Sequence, residues 1–215
     1  MSTTLFRQAD LAAMPSRHRA HFVNSLSGFK SANLLATKST AGVTNLAMIS
    51  SVVHLGADPA LMGYITRPKT VARDSIDNIE TTGVYTFNHV HSLMLPAAHQ
   101  AAAKFASDQS EFSECGFNEG YVDDFFAPYV QESALSIGLA LVETVPIRHN
   151  GTQLVIGKIE WVKVPQTVIN DDGYIAIEKL DSIAVSGLDG YHQSQRIARF
   201  SYPEIGCAPK QLHSL

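Results

Sequence analysis

Residues Gly42 to Thr70 read GVTNLAMISSVVHLGADPALMGYITRPKT. An amide, Asn45, and a serine pair, Ser50 and Ser51, lie within or beside an apolar run that ends at Gly56-Ala57-Asp58-Pro59. The run Leu46–Leu55 has β-branched residues at its centre, and the Gly and Asp-Pro punctuation favours a strand over a helix. A second run, Leu61 to Thr66, predicts the next strand before Arg67-Pro68-Lys69-Thr70. Two nearly continuous apolar strands in succession predict a central sheet covered on both faces. Amide, hydroxyls and cations at strand ends suit a ligand that is flat and hydrogen-bonding at one end and anionic at the other. Spacing alone does not choose among phosphorylated ligands of that shape.

Outward from this stretch the chain stays strand-rich. Upstream, residues 1–20 read as an arm with a short helix around Asp10–Met14, stopped by Pro15. From His21 the pattern reads as short strands: Phe22, Val23 and Leu26 before Gly28, then Asn33–Thr37. Downstream, Val71–Thr81 reads as a helix ended by Gly83. Val84–Asn88 is a strand, Pro96–Ser107 a second helix with proline in its first turn, and residues 108–124 an acidic surface loop or lid. Asn150-Gly151 between the apolar runs Ser133–Val145 and Thr152–Val164 is a hairpin signal. Within it Leu135, Ile137, Leu139 and Leu141 alternate and are expected on one face. Tyr174–Ile177 reads as a short strand and Asp181–Gly190 as a loop. Many short strands with two or three helices make a mainly β fold, a β-barrel with added helices.

Composition bounds the function. The 215 residues are 45% hydrophobic and 17% charged, enough for one domain with a real core. A formal charge of −4 argues against a nucleic-acid partner, which needs a basic face. The charged start lacks the apolar core of a signal peptide, and no run approaches the roughly 20 apolar residues of a membrane span. Cys115 and Cys207 stand far apart without a CxxC partner, so they read as reduced thiols rather than zinc ligands. These features predict a cytoplasmic protein.

Further segments join the opening stretch in one ordered series. Val23-Asn24-Ser25-Leu26-Ser27-Gly28-Phe29-Lys30-Ser31-Ala32-Asn33 leads into Leu34-Leu35-Ala36-Thr37, and Asp77-Asn78-Ile79-Glu80-Thr81-Thr82-Gly83 precedes Tyr85-Thr86-Phe87-Asn88. Ser110-Glu111-Phe112 and Gly187-Leu188-Asp189-Gly190-Tyr191 follow. The series, over roughly residues 17 to 203, resembles the flavin reductase-like, FMN-binding split-barrel family, which includes flavoredoxin-type proteins and reductase partners of two-component monooxygenases. The resemblance implies a split β-barrel spanning 21–203 between the arm (1–20) and a C-terminal tail (204–215). It also implies a homodimer, bound FMN, NAD(P)H as hydride donor, and a partner oxygenase or other electron acceptor. Its non-enzymatic alternative is an FMN electron-transfer protein of the flavoredoxin kind; a barrel that has lost flavin is a third possibility.

The candidate site residues follow. Asn45 offers donors and an acceptor together, as the mixed edge of an isoalloxazine ring requires; alternatively it caps the turn after Gly42. Strand alternation sends the side chains of Ser50 and Ser51 to opposite faces, so only one hydroxyl faces a given ligand. The resemblance implies that these serines and Val52 line the flavin. Arg67 and Thr70 are the candidate phosphate grip, with Lys69 between them; the alternative is a solvated charged loop. Lys30 stands where many relatives carry an Arg-Pro pair that contacts the flavin, a departure that leaves a lone ammonium to stabilise anionic reduced flavin. Asn88 and His89 are flavin contacts by resemblance. His89-x-His91 has no evident third ligand, so no metal is expected. GxSxG, HExxH, P-loop and GxGxxG motifs are all missing, which leaves no Rossmann unit for the nicotinamide donor.

Overall fold

The computed structural model describes residues 2–68 and 74–212. Two helices open the chain, α1 (Gln8–Ala13) and α2 (Ser16–Leu26), followed by the two-residue strand β1 (Lys30–Ser31). Then come β2 (Asn33–Lys38), β3 (Thr44–Ile49), β4 (Val53–Ala57), β5 (Ala60–Thr66), α3 (Asp74–Thr82) and β6 (Val84–His89). Helices α4 (Leu95–Gln100) and α5 (Glu111–Cys115) precede the short strands β7 (Glu119–Gly120) and β8 (Tyr129–Val130). The long hairpin of β9 (Ser136–Ile147) and β10 (Thr152–Lys163) turns at Asn150-Gly151, where Gly151 takes a positive φ of 74°. The chain ends with β11 (Ile183–Ser186), β12 (Gly190–Gln193), β13 (Arg199–Phe200) and β14 (Gln211–Leu212).

Seven strands form one antiparallel sheet in the order β3-β2-β6-β9-β10-β5-β4. Its first and last strands, β3 and β4, are joined by only Ser50, Ser51 and Val52. Six inter-strand steps would separate the edges of a flat sheet by about 29 Å. A three-residue link reaches about 14 Å at most. The sheet must therefore curl until its edges nearly meet, and the barrel stays split at β3 and β4.

Period-two alternation divides the side chains between inside and outside. Leu35, Tyr85, Phe87, Ile137, Leu139 and Val155 fill the interior. Leu135 and Leu141 join them, so the alternating leucine and isoleucine row of β9 shares one face as its spacing predicts. Helix α3 closes one end of the barrel with Ile76 and Ile79, and Gly83, at a φ of +76°, ends it. Outside, Leu34, Leu46, Val90, Phe112, Val130 and Val185 form a second core beneath α4, α5 and the small sheet β1-β11-β12. The fold is thus mainly β with added helices, a split β-barrel.

Several local expectations are corrected. Ser16–Leu26 is a helix, not the start of the strands; Phe22, Val23 and Leu26 fit helical spacing as well as β-propensity, and Pro15 sits at the N-cap where it costs no hydrogen bond. The expected single strand Leu46–Leu55 breaks at Ser50–Val52, because barrel closure needs a corner there. The expected helix Pro96–Ser107 stops at Gln100 although Ala101, Ala102 and Ala103 follow directly; packing rather than propensity sets the length of so short a helix. The stretch read as a loop or lid contains α5 and β7 and is fastened to the barrel. The Trp161 indole lies against Gly138, where a Cβ would stand 2.1 Å from the ring, and meets Phe125 and Tyr129 edge-on. Instead of a strand at Tyr174–Ile177 there is one bridge between Ile169 and Ile175 and a short 3-10 turn, Ile177–Leu180. The expected loop Asp181–Gly190 contains β11.

Gly157 shows how tightly the interior is filled. Alternation with the inward Val155 and Ile159 points its Cα at the barrel interior, and a Cβ there would stand 2.2 Å from the Tyr85 hydroxyl and 3.1 Å from Leu139 Cβ. Gly157→Ala is expected to cost about 1–3 kcal/mol through overpacking, read as a lower urea midpoint. An unchanged midpoint would mean the interior is looser than described.

Candidate functional site

Of the predicted residues, Ser50, Ser51, Val52 and Arg67 lie at or beside one corner, the link from β3 to β4 and the end of β5. Ser51 Oγ accepts a hydrogen bond from the Ile65 N–H at 3.2 Å and donates to the Ile65 carbonyl at 2.9 Å. One side chain thereby replaces the main-chain pairing that β4 would otherwise give β5, and ties the corner to the end of β5. Two residues later Arg67 is exposed and makes no ion pair among the described residues. Ser50, half-buried, forms no side-chain hydrogen bond among the described residues, so of the two serines it has the free hydroxyl. Val52 packs on the interior core from the barrel mouth. Residues 47–52 are all half-buried, an accessible strip along the edge of the barrel.

At the other end of that strip stands Asn45, 9% exposed, its Nδ2 donating to Ser75 Oγ at 2.8 Å. Its cross-strand neighbour Thr37 accepts from Asn78 Nδ2 at 3.1 Å. These two bonds fix the first turns of α3 against the β2–β3 edge. Asn45 is therefore a tie to the helix, with its carbonyl oxygen unpartnered among the described residues. Asn45 and Ser50 are five extended residues apart, about 17 Å, a strip long enough for an elongated ligand. Lys69 and Thr70, in the connection from β5 to α3, lie outside the described residues.

On its other flank β3 is held by α5. Glu111 accepts the Leu46 N–H at 2.9 Å, satisfying an edge-strand donor that would otherwise face apolar side chains. Burial holds the Glu111 carboxyl above its ordinary range, although the Leu46 bond pulls the other way, and nearby Asp74 adds to the rise. Thr44 donates to Glu119 at 2.7 Å and shares a hydrogen bond with Ser110. Tyr121 also donates to Glu119, and Lys38 donates to Tyr121 from a position over its ring. The strand that carries Asn45 is thus braced on both flanks.

Three candidates sit elsewhere. Lys30 lies in the small sheet, where its ammonium joins the Asn24 and Gly187 carbonyls at 3.1 and 3.0 Å. That use engages the ammonium within its own chain. Asn88 is fully buried on the outer face of β6, with Nδ2 donating to Leu34 O and Thr86 Oγ1 and Oδ1 accepting from Val130 N–H. It is a structural residue of the sheet and has no free group for a ligand. His89 points inward on the row Ile49–Asn33–His89, which crosses β3, β2 and β6 below the corner. Its Nδ1 shares a hydrogen bond with Ser182 Oγ at 3.1 Å, and burial lowers its pKa to about 4, leaving the ring neutral.

Two participants escaped sequence reasoning. Ser75 reads only as a helix-start residue, and nothing local pairs it with Asn45, 30 positions earlier. Asn33, buried with its Oδ1 unpartnered among the described residues, was legible from alternation, since Asn33, Leu35 and Thr37 share the inner face. No group of three or more His, Cys, Asp or Glu that could hold a metal ion occurs among the described residues, and no described helix is long and apolar enough to cross a membrane.

His89 gives a pH prediction. Its folded pKa is depressed, so between pH 6.5 and about 4 the unfolded chain takes up a proton that the folded chain refuses. Stability should fall as pH drops through that window, and His89→Gln, which keeps a partner for Ser182, should flatten the fall. Urea midpoints at pH 7, 5.5 and 4.5 test this; parallel curves for the two proteins would remove His89 from the acid response.

Comparison with known proteins agrees with this geometry. Residues 26–178 match the family model described as flavin reductase like domain. A solved protein of Shewanella frigidimarina NCIMB 400, assigned as a flavin reductase with split barrel domain, is 45% identical over 94% of this chain and 100% of its own, with a TM-score of 0.90. Nitrilotriacetate monooxygenase component B from Bacillus cereus shares the fold at 16% identity, over 91% of this chain and 98% of its own, with a TM-score of 0.80. Flavoredoxin of Desulfovibrio vulgaris (Miyazaki F) does so at 19% identity, over 84% and 93%, with a TM-score of 0.69. The chain belongs to the flavin reductase-like family and is a split-barrel oxidoreductase of that family.

Proposed function

We propose that the chain is an FMN-dependent reductase that draws hydride from NADH or NADPH. The observation that carries this reading is the half-buried corner Ser50–Val52, beside an Arg67 guanidinium that makes no ion pair among the described residues. The donor set fits the cofactor: a free hydroxyl and strand-edge amides for a flat heterocycle, a cation for a phosphate. When bound, FMN would supply the redox chemistry, a two-electron acceptor for hydride and a donor to the next acceptor. The chain's own part is binding and orientation. Ser50 and the backbone of Ser51 and Val52 meet the ring edge, and Arg67, followed in sequence by Thr70, grips the phosphate. Asn45, oriented by Ser75, contacts the cofactor through its remaining carbonyl oxygen. Below the corner, neutral His89 adds no positive charge. Side chains are not required as proton donors in hydride transfer, so none is assigned that role.

The same reading makes the protein a homodimer. On the outer face, Ile65, Leu154 and Val145 form a continuous row across β5, β10 and β9. Val53, Gly63 and Ile156 form a second row beside it. Val53, Ile65 and Val145 are exposed, an apolar sheet face adjoining the corner. A second subunit packed there would wall the cleft. Reduced flavin then serves a partner oxygenase or another acceptor, and the free thiols Cys115 and Cys207 fit a cytoplasmic protein.

The test is the visible spectrum of FMN-reconstituted, desalted protein under anaerobic addition of NADH and then NADPH. Retained yellow colour that either nucleotide bleaches is the expected result. Colour that only dithionite bleaches would make the protein an electron carrier, and a colourless protein would remove flavin from the account. Arg67→Ala should weaken FMN affinity by roughly ten- to a hundredfold, as expected for a charge-assisted hydrogen bond, with the urea midpoint nearly unchanged because Arg67 is exposed. Equal affinity would exclude Arg67 from the site.

A further inference from the structure

The hairpin of β9 and β10 ends beside the strand that leads into Arg67. Gln153 pairs with Thr66 at the end of β5, and Thr152 pairs with Ile147 on β9. Continuing the antiparallel register sets Arg67 opposite Thr152, and Arg148 follows Ile147 directly. Arg67 and Arg148 thus stand two inter-strand spacings apart, about 10 Å between backbones. A contact agrees with that alignment: a Cβ at Gly151 would lie 3.5 Å from Pro68 Cβ. The tip is built to hold its shape. Asn150 Oδ1 accepts from the Thr152 N–H at 3.1 Å and from the Thr152 hydroxyl at 2.8 Å, and the Gly151 N–H donates to the Ile147 carbonyl at 3.0 Å.

The chain through β5 and β10 carries charge of one sign. Residues 59–73 and 144–159 include Arg67, Lys69, Arg73, Arg148 and Lys158 and contain no Asp or Glu, in a chain whose net charge is −4. On β9 the nearest acid is Glu143, five residues before Arg148. Asp74, which opens α3, lies close to Glu111 at the β3 edge. Arg67, Arg148 and His149 are all exposed, and none of their side chains forms an ion pair or a hydrogen bond among the described residues.

Position decides which phosphate these groups meet. From the corner Ser50–Val52 the sheet runs β4, β5, β10, β9. Arg67 follows β5, and Arg148 and His149 lie two strands further out. A flavin with its ring at the corner and its phosphate on Arg67 ends there, so the cations beyond face a second phosphorylated molecule. A dinucleotide whose nicotinamide meets the ring is long enough to carry its adenosine past the flavin phosphate. We infer that Arg148, with His149 beside it, binds the 2′-phosphate of the donor's adenosine ribose and makes NADPH the preferred substrate. A guanidinium takes a phosphate monoester in bidentate fashion, and NADH has only a hydroxyl at that position. This rests on the flavin reading above, which puts the FMN phosphate at Arg67.

Two probes test the site without turnover. Titration calorimetry on the FMN-loaded protein compares adenosine 2′,5′-bisphosphate with adenosine 5′-monophosphate, which differ by that phosphate alone. The wild type should bind the bisphosphate about tenfold more tightly; Arg148→Ala should remove the difference, and Arg148→Lys should keep part of it. In steady state the wild type should favour NADPH over NADH in kcat/KM by a similar factor, and Arg148→Ala should lose that preference through KM. Equal affinity of the wild type for the two probes, or a difference unmoved by Arg148→Ala, overturns the inference and leaves the flavin reading standing. Weaker FMN binding in Arg148→Ala, with riboflavin binding unchanged and the probe difference intact, would put the cation on the flavin phosphate and overturn the nucleotide assignment. A wild type that takes up no FMN overturns both readings, and is told apart because the desalted protein is then colourless.

Discussion

A seven-stranded sheet whose outermost strands are joined by three residues has one shape open to it. The link Ser50–Val52 forces closure, and Ser51 completes it by offering its hydroxyl to both main-chain groups of Ile65. A main-chain pair in that position would continue β4 and seal the corner. A side chain closes the barrel and still leaves the neighbouring backbone and the Ser50 hydroxyl accessible. Stability and site come from the same local choice.

The remaining elements follow from that closure. The interior is small, so it admits Tyr85 only where Gly157 lacks a side chain. The mouth at the far end of β3 needs a lid of its own, which α3 provides through Ile76, Ile79 and the Asn45–Ser75 and Thr37–Asn78 bonds. The free edge of β3 needs acceptors, which α5 provides through Glu111. The acidic character of residues 108–124 thus has partly a structural origin, since Glu111 and Glu119 serve the edge strand.

How much of this the sequence disclosed depended on range. Alternation in β9, the Asn150-Gly151 hairpin and the strand Leu61–Thr66 after Asp58-Pro59 are local patterns, and they hold. The barrel and the corner residues came from an ordered series of segments resembling one family. What failed was decided by distant partners. Ser16–Leu26 carries spacing that suits helix or strand, and its neighbours choose. The apolar run through Ser50 and Ser51 gives no local sign of breaking, because the break answers to the position of β5. Asn88 reads as an available amide beside a strand end, yet it faces outward into a core whose carbonyl and amide groups occupy it fully. Lys30 reads as a free cation, and its two carbonyl partners lie six and 157 positions away. Composition alone reveals neither.

The most direct test of the central claim is hydrogen exchange with and without saturating FMN, followed in peptides covering residues 44–52 and 60–68. The account predicts slower exchange in both segments when flavin is bound, because their backbone amides form the corner that holds it. Unchanged exchange in both, in protein that demonstrably retains flavin, would place the cofactor elsewhere and contradict the site.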